Sequence, residues 1–166
     1  MLKYLLTLLA AASFTTLSAE SFQVDFSKPA ITITQPKNLD VNVTTGPMTY
    51  FNSYYKESWI LHGNGQSFIR VGFNNHLEEG TPVNLRLVHL SSISNKVKYS
   101  PITIKVNGAV VVSNFSPEKG NYCTDSFDIT QYVKKGTNTI RISLDDDAQT
   151  NYWISHLGVN FKKQSR

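Results

Sequence analysis

Hydrophobic and polar residues alternate one by one along most of the chain. Ile31 and Ile33 alternate with Thr32 and Thr34 before Pro36 closes the run. Ile69, Val71 and Phe73 alternate with Arg70 and Gly72, and Val83, Leu85 and Leu87 with Asn84 and Arg86. Ile102, Ile104 and Val106 alternate with Thr103 and Lys105, then Ile140, Ile142 and Leu144 with Arg141 and Ser143. Leu157, Val159 and Phe161 close the series. Successive side chains of an extended strand point to opposite faces, so a period of two with one polar face predicts half-buried β-strands. No window of similar length carries the apolar stripe of an amphipathic helix.

Turn residues separate these runs. Asn107-Gly108 lies between two of them and is the strongest hairpin signal, because both residues tolerate the left-handed backbone of a tight turn. Gly63-Asn64-Gly65, Asn74-Asn75, Glu79-Gly80-Thr81-Pro82 and Glu118-Lys119-Gly120-Asn121 mark further loops. Eight or nine short strands punctuated in this way predict an all-β, two-sheet antiparallel sandwich of the jelly-roll type. Residues 20–166 read as one domain, without internal repeats.

One stretch interrupts the alternation: SFDITQYVKKGTNTIRISL, residues 126–144. Asp128 is placed to cap a turn begun by Ile129, and Gly136 to end it in the left-handed conformation. Lys134 and Lys135 suit its carbonyl end. Phe127, Ile129 and Val133 are then expected to plug the edge of the sandwich where the chain changes sheets.

This stretch, with PITIKVNGAVV at 101–111, resembles the galactose-binding-like jelly roll. That fold occurs in the sugar-binding domains of β-galactosidases and β-glucuronidases and in carbohydrate-binding modules. Asn107, Gly108, Phe127, Asp128, Ile129, Thr130, Gly136 and Asn138 match its pattern of a strand ending in Asn-Gly, a loop, Phe-Asp-Ile-Thr and Gly-x-Asn. The terminal YWISHLGVNF resembles its closing strand, and the match covers roughly residues 100–161. The resemblance implies a non-catalytic module that binds a glycan or polysaccharide. A second implication is a structural calcium ion, with Asp145, Asp146 and Asp147 as candidate ligands. Against the ion stands the reading of three consecutive acids as a solvated turn.

Composition adds a compartment. Lys3, an apolar run over residues 4–14, and Ser18 and Ala19 before Glu20 read as an export signal at 1–19. Its removal from the 166-residue chain would leave 147 residues, secreted or periplasmic and without a transmembrane segment. The formal charge of +4 is mild and concentrates only at Lys162, Lys163 and Arg166, so nucleic acid is set aside as a partner. Cys123 is the only cysteine, either an inert thiol or one half of an intermolecular pair. Asn42 and Asn114 head glycosylation sequons.

Sugar rings stack their C–H faces on aromatic rings while amides and imidazoles bond their hydroxyls, so aromatics beside Asn and His mark candidate sites. Two clusters have that composition. In residues 49–65 the candidates are Tyr54, Tyr55, Trp59, His62 and Asn64; in residues 145–154 they are Asn151 and Tyr152. Trp59 and Trp153 are equally read as core, Trp153 on the side shared with Leu157 and Val159. His62, His76, His89 and His156 are scattered, and no nucleophile or metalloprotease motif accompanies them. His89 reads as a surface or core-edge residue. No catalytic residue is assigned. The alternatives are a secreted adhesion domain that binds a cell-surface protein, or an enzyme acting on glycans.

Overall fold

The computed structural model describes residues 21–54, 56–62, 66–91, 100–117 and 121–162. The export segment expected at 1–19, together with Tyr55, Asn64, Lys163 and Arg166, lies outside them. Among the described residues no helix is long and apolar enough to cross a membrane.

The strands are β1 Phe22–Asp25, β2 Thr32–Thr34, β3 Val41–Thr45, β4 Thr49–Asn52, β5 Ser58–Leu61, β6 Phe68–Asn75 and β7 Val83–Leu90. They continue with β8 Ile102–Val106, β9 Ala109–Phe115, β10 Cys123–Asp128, β11 Gly136–Leu144 and β12 Tyr152–Phe161. Every long run of alternation is a strand. The additional ones, β1, β3 to β5 and β10, are short segments whose period is hard to read in four to six residues.

The strands form two sheets, antiparallel throughout. The first runs β10-β7-β12-β1-β2, with β5 also pairing β12 and β4 pairing β5. The second runs β3-β6-β11-β8-β9. Their inward faces meet in one core that includes Phe22, Val71, Leu85, Ile104, Ile142 and Val159. The fold is therefore the expected two-sheet β-sandwich.

The interruption between β10 and β11 is a corner. A single 3-10 turn, Thr130–Tyr132, follows β10. Asp128 Oδ1 accepts the Thr130 N–H at 2.9 Å and the Thr130 hydroxyl at 2.6 Å, which fixes the entry. Ile129 is fully buried, worth roughly 1.5–3 kcal/mol of apolar transfer. Gly136 has φ +90°, which a Cβ would oppose. The lysines do not close the turn; Asn138 does. Its fully buried amide donates to Lys134 O at 2.7 Å and Gly136 O at 2.8 Å, and its Oδ1 accepts from Lys134 N at 2.9 Å and Asn107 Nδ2 at 2.8 Å. The motif asparagines thus tie the β8–β9 hairpin, a tight turn with φ +52° at Asn107 and +86° at Gly108, to the corner.

One element departs from the sequence reading. Between Ile154 and His156 the register of β12 against β7 slips by a residue, so Ser155 is an added, bulged residue. Its carbonyl accepts the Phe26 N–H at 2.8 Å. A one-residue insertion inverts side-chain parity on one side of itself. Tyr152 and Ile154 consequently face the core with Leu157 and Val159, and Trp153 faces the other way. There it packs with Ile60, Leu90 and Tyr122 in a separate small cluster.

Candidate functional site

The pairing of β5 with β12 sets Leu61 opposite Tyr152. The next residue outward on each strand is His62 and Asn151, and their side chains meet: His62 Nδ1 bonds Asn151 Oδ1. An amide oxygen only accepts, so His62 carries its proton on Nδ1 and keeps Nε2 as an acceptor, while Asn151 keeps its amide N–H groups as donors. The pair lines a cleft of about 620 Å³ with Met48, Gln66, Gln149 and Thr150. Tyr50 stands beside it, 44 % exposed, with its ring tilted 58° against the imidazole at 6.2 Å.

Buried hydroxyls hold the walls of this cleft in place. Ser67 is fully buried and shares its hydroxyl proton between Met48 O, at 2.9 Å, and His62 O. Ser100, also fully buried, reaches Thr150 O at 2.6 Å and Asn151 O at 3.0 Å. The His62 N–H donates to Met48 O at 3.0 Å. Three loops that meet only in the folded chain are therefore fixed from beneath. The result is a polar, preformed groove with an aromatic ring at its side.

The remaining candidate residues lie elsewhere. Tyr54 is 86 % exposed at the far end of the β4–β5 hairpin, where its N–H donates to Asn52 Oδ1 at 2.8 Å. Trp59 packs against the main core, and its indole N–H donates to Lys28 O at 3.0 Å. Tyr152 is fully buried because the bulge turns it inward, so it has no open ring face. Tyr50, Gln66, Gln149 and Thr150 were not singled out from the sequence; for Tyr50 the signal was its place in the first aromatic cluster.

Asp145 Oδ2 accepts the Asn114 N–H at 3.1 Å, and Asp146 and Asp147 are exposed in the turn that follows. These acids do not gather three ligand atoms together. Among the described residues such a set occurs only at His89, Cys123 and Asp125, whose donor atoms lie within 4.8 Å of one another. That cluster is already internally bonded. His89 Nε2 meets Asp125 Oδ2 at 2.8 Å, His89 Nδ1 meets the Tyr152 hydroxyl, and Cys123 Sγ sits 3.6 Å from Asp125 Oδ2. The carboxylate accepts, so the imidazole proton is on Nε2 and Tyr152 donates to Nδ1. His89 is thus fully buried rather than at a core edge, with Phe115 stacked on it. Burial lowers its proton affinity, against the opposing pull of Asp125, and burial pushes the Tyr152 hydroxyl far above its usual value.

A scan against models of protein families finds no match, and a search of curated proteins finds none. Among solved structures, the chain is similar to a carbohydrate-binding module, CBM36, in complex with calcium and xylotriose. The identity is 14 % over 81 % of this chain and 96 % of that one, with a TM-score of 0.51. It is also similar to the CBM36-1 domain of a multidomain xylanase from the hindgut metagenome of Trinervitermes trinervoides, at 14 % identity, 76 % and 99 % coverage and a TM-score of 0.48. A family 35 carbohydrate binding module from Clostridium thermocellum gives 17 %, 75 %, 99 % and 0.47. The first likeness carries the fold alone: this chain shares the two-sheet β-sandwich of that module.

Proposed function

We propose that the chain is a non-catalytic carbohydrate-binding protein, exported to the periplasm or beyond, that takes a glycan in the cleft between His62 and Asn151. The observation that carries this reading is the bonded His62–Asn151 pair beside an exposed Tyr50. It offers a ring face for a sugar's C–H surface, and amide donors and an imidazole acceptor for its hydroxyls. The jelly-roll neighbour bound to xylotriose supports xylo-oligosaccharides as the first ligands to try. Tyr54, on the hairpin tip, then serves a long polysaccharide only as a peripheral contact.

A structural calcium, as in the neighbour bound to calcium and xylotriose, is compatible with this reading. Calcium takes about six to eight oxygens, so Asp145, Asp146 and Asp147, whose carboxylates do not gather three together, would share it with oxygens from other segments.

The test is affinity electrophoresis and calorimetry of the processed chain against xylan, mannan, cellulose and their oligosaccharides, before and after dialysis against a chelator. Binding that disappears in a His62→Ala, Asn151→Ala double variant with unchanged circular dichroism supports the cleft. Failure to bind any of these neutral glycans, or binding that the double variant retains, would overturn it.

A further inference from the structure

The outward face of the second sheet carries a row of cations set by register alone. Arg141 on β11 lies directly opposite Arg70 on β6 and, on its other side, opposite Lys105 on β8. Thr44 on β3 and Val110 on β9 extend the row to the two edges. Neighbouring strands are about 4.8 Å apart, so three positive side chains are rooted side by side. Like charges directly opposite each other in a sheet destabilise it. Nothing on this sheet offsets them, since none of its strands, VNVTT, FIRVGFNN, ITIKV, AVVVSNF and GTNTIRISL, contains an aspartate or a glutamate. Among the described residues the ion pairs are both made by histidines of the other sheet.

The two guanidinium groups are held rather than loose. Arg141 lies over the Phe68 ring at 3.9 Å from its centroid, and Arg70 at 5.5 Å. Burial, with Arg70 as a neighbouring charge, lowers the proton affinity of Arg141. A groove of about 520 Å³ runs along the row, where Lys134 from the corner adds another cation and Asn107, Thr137 and Thr139 add hydrogen-bonding groups.

We propose that this face is a second binding site, for an acidic polysaccharide that carries carboxylate or sulfate groups along its chain. Planar guanidinium groups match carboxylate and sulfate oxygens in pairs. The hydroxyls and amide beside them suit the uncharged hydroxyls of the same chain. The row of cations running across three strands favours a linear ligand over a small anion. Nucleic acid fits less well, because Phe68, the aromatic ring on this face, is covered by Arg141 and leaves no platform for a base. The proposal does not depend on the loop cleft, which lies on different strands and would take neutral sugars.

The experiment uses the processed chain with polygalacturonate, chondroitin sulfate, fully methyl-esterified pectin and a DNA oligonucleotide of matched charge, each titrated at low and at physiological salt. The expected result is binding to the two acidic polysaccharides, weakened by salt, with none to the esterified pectin. An Arg70→Gln, Arg141→Gln double variant should lose about tenfold or more of that affinity. Its circular dichroism and its binding of neutral sugars in the loop cleft should be unchanged, which loss of the fold would not give. Thr139→Glu, which places a carboxylate beside the row, provides a second variant and should abolish binding. Absence of binding to both acidic polysaccharides, undiminished binding in either variant, or tighter binding to DNA at equal salt would each overturn the proposal.

Discussion

The Tyr152 hydroxyl donates its hydrogen bond to His89 Nδ1 inside the core, where both side chains are fully sealed from water. Replacement by phenylalanine keeps the ring and removes the donor, leaving a buried imidazole nitrogen unpaired. Tyr152→Phe is therefore expected to lower stability by about 1–3 kcal/mol, read from urea unfolding midpoints. An unchanged midpoint would mean that Nδ1 finds another donor.

The same imidazole makes stability depend on pH. Burial holds the proton affinity of folded His89 below the ordinary value of 6.5. The unfolded chain then binds the proton first as pH falls, so the contribution is complete above that value and is lost as pH drops beneath it. Melting temperature should decline from about pH 7 to about pH 5, before the carboxylates begin to titrate. His89→Gln, which cannot titrate, should flatten that decline.

Asn138 is bonded at every hydrogen and at its oxygen within the corner. Asn138→Ala strands the Lys134 N–H and two carbonyls in a buried place, at a cost of about 2–4 kcal/mol. Asn138→Asp should be nearly as harmful despite its shape, because a carboxylate cannot donate to Lys134 O and Gly136 O. Thermal unfolding of the two variants side by side tests whether donation is what matters.

The cleft and the hairpin tip separate two aromatic residues that are neighbours in sequence. Tyr50→Ala is expected to weaken glycan affinity by about 1 kcal/mol, roughly fivefold. Tyr54→Ala should have a clearly smaller effect on short oligosaccharides. Calorimetric titration with a trisaccharide decides between them; equal losses would move the site toward the hairpin tip.

What was legible in the sequence was local. Asp128, Gly136 and the Asn107-Gly108 turn act through residues a few positions away, and the alternating runs declare their own inward face. What escaped depends on how distant strands align. His62 and Asn151 had the right composition, yet only the pairing of Leu61 with Tyr152 makes them meet. The extra residue at Ser155 carries no local signal, and it alone exchanges the expected directions of Tyr152 and Trp153. Arg70, Lys105 and Arg141 look like unrelated single charges until register sets them side by side.

Strand β12 is bordered by β7 on one side and by β1 and β5 in succession on the other. Among the described strands it follows all the others in the chain, so its three partners are made before it and keep open edges until it pairs. Contacts spanning most of the sequence form slowly. During that interval β1, β5 and β7 are vulnerable to pairing with another molecule. A holding chaperone, or prompt arrival of β12 itself, would guard the protein until that ribbon slides into its slot.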